Sequence, residues 1–145
     1  MKKEIKIVLI DLDKTLWRFD SWNQGVVSEE KLRNFLFPEA LEAIELIKNK
    51  GYKIGIASAS PSSTICHIYL DKLFPKDYFD IIIIHPTYPY KTYHFNQVVE
   101  KFGYSYNNIL MIDDLEPIIE NAKALGVQTI HAKSGLSKNS IIDLL

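Results

Sequence analysis

Asp11 and Asp13 stand one residue apart in Asp11-Leu12-Asp13-Lys14-Thr15-Leu16-Trp17, directly after the apolar run Ile7-Val8-Leu9-Ile10. The run reads as a buried strand. Two carboxylates in the loop that ends it repel each other, so a cation, a proton or both must offset them. The pattern points to a metal-dependent site in which one Asp attacks and the other moves protons.

Three more polar clusters follow apolar runs. Ser58 and Ser60 end Ile54-Gly55-Ile56-Ala57-Ser58-Ala59-Ser60. Lys91 lies in Tyr88-Pro89-Tyr90-Lys91-Thr92, and Asp113 and Asp114 end Leu110-Met111-Ile112-Asp113-Asp114. In open α/β sheets ligands bind outside the carboxyl ends of the strands, so these residues are expected to meet in one crevice. If Asp13 holds a proton, the other three carboxylates against Lys91 leave a deficit of two charges, which a divalent cation closes. An oxygen-rich site without His or Cys ligands favours Mg²⁺. A hydroxyl and an ammonium beside the metal suit phosphoryl oxygens, and a carboxylate can attack phosphorus to form an aspartyl-phosphate.

The elements that must position these residues alternate short apolar runs with longer amphipathic segments, the pattern of a mainly parallel sheet covered by helices. Five strands are expected at Ile5–Ile10, Lys53–Ala57, Phe79–Ile84, Ile109–Ile112 and Val127–His131. Four helices are expected: Pro38–Lys50, and from about Ser62 to Leu73, Tyr93 to Phe102 and Glu116 to Leu125. Pro38 and Gly51, Gly103 and Gly126 supply helix start and stop signals. Ile65, Ile68, Tyr69 and Leu73 would share one face of the second helix. Unbroken apolar runs in strands three and four imply burial on both faces. Ser137 to Leu145 could close the chain as a short helix. Residues 18–37 are irregular and read either as a short helix after Ser28 or as a β-hairpin.

With 145 residues, residues 1–145 are expected to form one α/β domain with a small insertion at about 17–37 and no room for a large cap. The 47% apolar and 24% charged composition is that of a globular protein, and a net charge of −1 gives no support for nonspecific nucleic-acid binding. The single cysteine, Cys66, cannot form an internal disulfide and reads as a core residue in a reducing, cytoplasmic setting. Lys2 and Lys3 precede a run too short for a signal peptide, and no stretch approaches a membrane span.

The four motifs, in this order, resemble the haloacid dehalogenase (HAD) superfamily. Its signature is an apolar strand followed by Asp-x-Asp-x-Thr/Val, here Asp11 to Thr15. The opening Asp-Leu-Asp-x-Thr-Leu-Trp, the Tyr-Pro before Lys91, the pair His94-Phe95 and Asp113-Asp114 are similar to the magnesium-dependent phosphatase-1 family. The resemblance covers most of the chain. It implies a Rossmann-like three-layer α/β/α sandwich and a Mg²⁺-dependent phosphatase acting on phosphomonoesters. Asp11 would be the nucleophile and Asp13 the general acid and base. Ser58 and Lys91 would bind phosphate and Thr15 would support the loop. Asp11, Asp113, Asp114 and the Asp13 carbonyl would hold Mg²⁺, Asp114 directly or through water. Asp13 argues for phosphoester hydrolysis, since dehalogenases of the superfamily lack an Asp there. Reading Asp13 as a pump-type nucleophile leaves Asp11 unexplained. The chain departs from the subgroup at Ala59, where an Arg is usual.

Blander readings stand beside these. Ser58, Ser60 or Ser62 could cap a helix, and Lys91 could be a solvated loop lysine. His85 and His131 read as structural residues at strand ends. Tyr88, Tyr90 and Tyr93 either wall the substrate site or pack elsewhere. Trp17, Phe19, Trp22 and Phe35 form either a small flap or a dimer contact. An open site would admit a sugar phosphate, a protein phosphotyrosine or a nucleic-acid end, with no nucleic acid or membrane required, in a monomer or homodimer. The rivals are a receiver-like phospho-accepting regulatory domain and a non-catalytic phosphate-binding module. Receiver domains place the acceptor Asp after strand three, and the order Asp-x-Asp, Ser, Lys, Asp-Asp favours the enzyme.

Overall fold

The computed structural model describes residues 4–87 and 89–145, so Lys2, Lys3 and Tyr88 lie outside the described residues. Five strands form one sheet: β1 (Ile7–Ile10), β2 (Lys53–Ser58), β3 (Ile81–Ile84), β4 (Ile109–Asp113) and β5 (Gln128–His131). Their order is β3-β2-β1-β4-β5, and every pairing is parallel. β1 lies in the middle and is buried along its whole length, which is why it reads as an unbroken apolar run. The same holds for β4. It does not hold for β3, an edge strand with Ile82 exposed. Ile81 and Ile83 pack toward one layer and Ile84 toward the other, but the edge position leaves the strand only partly covered, so its isoleucines reflect β-propensity as much as burial.

Five helices follow: α1 (Glu29–Phe35), α2 (Ala40–Asn49), α3 (Ser63–Leu73), α4 (Thr92–Phe102) and α5 (Glu116–Leu125). Alternate strand residues face opposite layers. Val8, Ile10, Ile54, Ile56, Leu110 and Ile112 pack against α1, α2, α3 and the 3-10 turn Asn139–Leu144. Ile7, Leu9, Ala57, Ile83, Ile109 and Met111 pack against Phe95 and Val98 of α4 and Ala122 of α5. The result is the expected three-layer sandwich, and among the described residues there is no large cap. No helix of the described residues is long and apolar enough to cross a membrane.

Some boundaries move. α2 begins at Ala40, two residues after Pro38, because the Ala40 amide first closes a turn on the Phe37 carbonyl at 3.0 Å. In α3 the buried face is Cys66, Tyr69, Leu70 and Leu73, which leaves Ile65 and Ile68 half-buried. Ser62 precedes α3 without a side-chain cap bond.

The segment between β1 and α2 combines both expected forms. Ser28 caps α1 by accepting from the Lys31 amide at 3.2 Å. On either side of α1 the chain pairs with itself: Arg18 N donates to Phe35 O at 2.8 Å, and Phe37 N to Leu16 O at 3.1 Å. Trp17 and Phe19 are buried, and Phe19 lies 5.0 Å from the half-buried Phe35 ring. Trp17 and Phe19 are core residues and do not form a flap, and the half-buried Phe35 packs against them. Trp22, 57% exposed, is the one free aromatic of that set.

Candidate active site

The register brings the strand ends level. Ile10 of β1 pairs with Ile56 and Ile112, so Asp11, Ala57 and Asp113 come next at one edge of the sheet. The Asp11 amide extends the ladder by one bond, to Ile112 O at 3.0 Å. The chain then turns about the Leu12 carbonyl, which accepts from the Thr15 and Leu16 amides at 3.1 and 2.8 Å. Lys14 takes a φ of 64°, in the left-handed region, to complete this turn. A tight loop after a buried strand thus holds both carboxylates at the mouth of the crevice.

Lys91 is buried just before α4. Its Nζ donates to Asp11 Oδ1 at 2.8 Å, to Asp113 Oδ2 at 2.6 Å and to Ala57 O at 2.8 Å. All three ammonium donors are therefore used, and the solvated-loop reading of Lys91 fails. Burial alone would push its pKa down, but the two adjacent carboxylates outweigh it and hold the ammonium above the ordinary lysine range. Thr15 Oγ1 lies 3.1 Å from Asp11 Oδ2 and 3.2 Å from Asp114 Oδ1, so it ties the first acidic loop to the last. Asp113 Oδ1 accepts from the Leu115 amide at 3.0 Å.

Asp11, Asp113 and Asp114 each offer a carboxylate oxygen, and these lie within 4.8 Å of one another. Burial raises the Asp11 carboxyl well above the ordinary range. Repulsion from Asp113 and Asp114 adds to this, and Lys91 opposes it. Burial likewise raises Asp114. Three hard oxygen donors facing one ammonium carry an excess of negative charge, which fits a divalent cation such as Mg²⁺.

Asp13 has a different environment. Its Oδ1 accepts from Trp17 Nε1 at 2.7 Å and from the Ser21 amide at 3.0 Å, and its Oδ2 from Ser21 Oγ at 3.0 Å. No ammonium touches it among the described residues. Burial raises its pKa against these hydrogen bonds. Trp17 lies four residues beyond Asp13, across the same tight turn, but Ser21 sits in an irregular stretch with no sequence signal.

Ser58 is buried at the end of β2. Its Oγ accepts from the Ser60 amide at 3.1 Å and keeps its own O–H to donate. Its carbonyl accepts from His94 Nε2 at 2.7 Å. A carbonyl only accepts, so Nε2 carries the hydrogen, and Nδ1 faces the Thr87 hydroxyl at 3.3 Å. Burial lowers the His94 pKa to about 4, so the ring is neutral at pH 7. His131 Nε2 donates to the Asp114 carbonyl at 2.9 Å, the strand-end support expected of it. Cys66 is buried, and its thiol lies 3.3 Å from Ser21 Oγ.

Asp11, Asp13, Ser58, Lys91, Asp113 and Asp114 line a cavity of 290 Å³. Its rim adds Lys14, Asp20, Trp22, Ala59, Pro61, Thr87, Pro89, Leu115 and Ile118. Tyr90 and Tyr93 are not among the lining residues. Tyr93 instead stacks on His85 at 4.2 Å and borders a groove along β3. A larger groove of 490 Å³, lined by Leu70, Phe74 and Tyr78, holds no such set of convergent polar groups.

The acid phosphatase family model matches residues 4–145. The chain belongs to the acid phosphatase family. This chain is 27% identical over 150 residues to the human magnesium-dependent phosphatase 1, covering 94% of this chain and 82% of the relative. The HAD phosphatase from Thermococcus onnurineus superposes with a TM-score of 0.64 at 17% identity, over 88% of this chain and 86% of that one. A HAD-superfamily hydrolase from Geobacter sulfurreducens superposes with a TM-score of 0.67 at 19% identity, over 97% of this chain and 100% of that one. At such identities the superpositions establish the HAD-like fold alone. As an acid phosphatase family member the chain is a phosphoric monoester hydrolase, and Asp11, Asp13, Ser58, Lys91, Asp113 and Asp114 meet in the one cavity, with Thr15 behind it on Asp11 and Asp114.

Proposed function

We propose that this acid phosphatase family member is a Mg²⁺-dependent phosphomonoesterase that forms an aspartyl-phosphate on Asp11. The observation that carries the reading is the contrast between the two carboxylates of one loop. Asp11 is held by the Lys91 ammonium beside Asp113 and Asp114, whereas Asp13 meets only neutral donors, Trp17 Nε1 and the amide and hydroxyl of Ser21. Two carboxyl groups with unlike surroundings divide naturally into a nucleophile and a proton carrier.

In the first step an Asp11 oxygen attacks phosphorus and the bond to the ester oxygen breaks. Asp13 gives its proton to the departing oxygen. In the second step Asp13, now a carboxylate, takes a proton from water, whose oxygen attacks the same phosphorus. The Asp11–phosphorus bond breaks, which releases inorganic phosphate and restores both side chains. The Ser58 hydroxyl holds a phosphoryl oxygen, and the Lys91 ammonium holds another by exchanging one of its carboxylate acceptors for it. Thr15 fixes the Asp11 carboxyl between them. Asp11, Asp113 and Asp114, with the Asp13 carbonyl, would hold Mg²⁺, which when bound would supply positive charge to the phosphoryl oxygens. The magnesium dependence named for the human relative supports that assignment.

Residues 1–145 act as one catalytic domain, and the open cavity suits a sugar phosphate or a phosphotyrosine side chain. A single buried thiol accords with a cytoplasmic setting. The test is an acid quench during turnover of an aryl phosphate labelled in its phosphoryl group. Label should appear on the protein, be released by hydroxylamine and map to Asp11. Label on another residue, or none at all, would overturn the mechanism. A phosphoenzyme that persists for hours would favour the receiver-like reading.

A further inference from the structure

Ser21 is fully buried between β1 and α1, and the proposed chemistry does not yet use it. Asp13 Oδ1 receives two N–H bonds, from Trp17 Nε1 at 2.7 Å and from the Ser21 amide at 3.0 Å. Two donors fill the acceptor sites of that oxygen, and an indole or amide N–H cannot reverse its direction. Asp13 Oδ2 faces the Ser21 hydroxyl at 3.0 Å. A hydroxyl both donates and accepts, so it can partner Oδ2 with or without a proton on that oxygen.

A second acceptor makes the reversal feasible. Ser60 Oγ lies 2.7 Å from Ser21 Oγ, and the Cys66 thiol lies 3.3 Å away on the same oxygen. When Oδ2 is bare, Ser21 donates to it and accepts from Ser60. When Oδ2 carries a proton, Ser21 accepts from it and turns its own hydrogen to Ser60. The Ser60 amide is fixed on Ser58 Oγ at 3.1 Å, which links this pair to the phosphate-binding side of the cavity. The segment is also clamped in place. Trp17 bridges to Leu36 and packs edge-on against Tyr69 at 5.2 Å.

We propose that Ser21, together with Trp17, is a positioning residue that leaves Asp13 Oδ2 as the oxygen that exchanges the catalytic proton. The inference rests on the reading of Asp13 as general acid and base. The insertion after β1 is then a clamp on the proton carrier, and Trp17 and Phe19 are buried because they build that clamp.

The test is steady-state kinetics with Mg²⁺ on nitrophenyl phosphate and on unsubstituted phenyl phosphate. The proteins are wild type, Ser21→Ala, Ser21→Thr, Trp17→Phe, Asp13→Asn and the double variant Asp13→Asn with Ser21→Ala. Misplacing a catalytic group costs up to about 10²-fold, so Ser21→Ala should lower kcat by roughly 10–100-fold while KM changes by less than about threefold. The loss in kcat/KM should be larger for phenyl phosphate, whose poorer leaving group needs the proton more. Ser21→Thr, which keeps the hydroxyl, should recover most of the rate. Trp17→Phe keeps most of the ring packing and removes one N–H, so it should show the same pattern if Ser21→Ala folds poorly. In the Asp13→Asn background Ser21→Ala should add little. Wild-type kcat in both Ser21→Ala and Trp17→Phe, or an undiminished Ser21→Ala loss in that background, overturns the proposal. Wild-type turnover by Asp13→Asn alone overturns the acid–base reading itself, and that arm is read separately.

Discussion

The Lys91 Nζ lies 2.8 Å from Asp11 Oδ1, and this pair joins residues 80 positions apart into one buried charge cluster. Lys91 reaches Asp113 as well, at 2.6 Å, so one ammonium serves two carboxylates that would otherwise repel. Removing one partner of a buried ionic group costs about 3–5 kcal/mol because the charges left behind are uncompensated. Lys91→Met should therefore lower the unfolding free energy, read from denaturant titration, by an amount of that order in EDTA, and by less in Mg²⁺, which would restore positive charge to the same oxygens. Equal destabilisation with and without Mg²⁺ would separate Lys91 from the metal cluster.

Asp13→Asn should leave the fold nearly intact. The amide oxygen can still accept from Trp17 and the Ser21 amide, and the new NH₂ can donate to Ser21 Oγ. General acid–base help is worth about 10²–10⁴ in rate, so kcat should fall by that range with a smaller change in KM. Stopped turnover assays together with a thermal melt check both halves of this prediction.

His94 makes stability depend on pH. Burial lowers its folded pKa to about 4, while the unfolded chain titrates near the ordinary value of 6.5. Between those values the unfolded state binds more protons, so stability falls as pH drops from about 6.5 to about 4 and this contribution then levels off. The difference corresponds to about 3 kcal/mol at full extent. Urea midpoints measured from pH 7 to pH 4, for wild type and His94→Gln, should diverge most at neutral pH and converge on acidification. Parallel curves would remove His94 as the cause.

Gly55 is required by space. A Cβ there would lie 2.6 Å from Ile81 Cγ2 and 3.0 Å from both the Ile81 carbonyl oxygen and Leu9 Cδ2. Overpacking of this kind costs about 1–3 kcal/mol, so Gly55→Ala should lower the urea midpoint accordingly with little change in KM. A stable variant with impaired substrate binding would contradict this.

Much of the fold was legible because its signals are local. Ile7–Ile10 and Ile109–Ile112 read as strands because burial on both faces leaves no polar position. α5 runs from Glu116 to Leu125 as expected, because Gly126, with φ 94°, stops it. The site was legible for a related reason: Asp11, Ser58 and Asp113 directly end their strands, and the parallel register makes strand ends converge. Pro38 was less informative, since a proline fits a preceding turn as well as a helix start. Trp17 and Phe19 resembled surface aromatics because their burial depends on α1 and α3 folding over them. Ser21 left no trace, since only the folded loop brings it to Asp13.

The central claim is that Asp11 carries the phosphoryl group at a Mg²⁺-dependent centre, and phosphate release from a generic aryl phosphate tests it most directly. Wild-type protein in Mg²⁺ should turn over. The same protein in EDTA, and Asp11→Asn in Mg²⁺, should release no phosphate above the uncatalysed rate. Full turnover in EDTA or by Asp11→Asn would contradict the account.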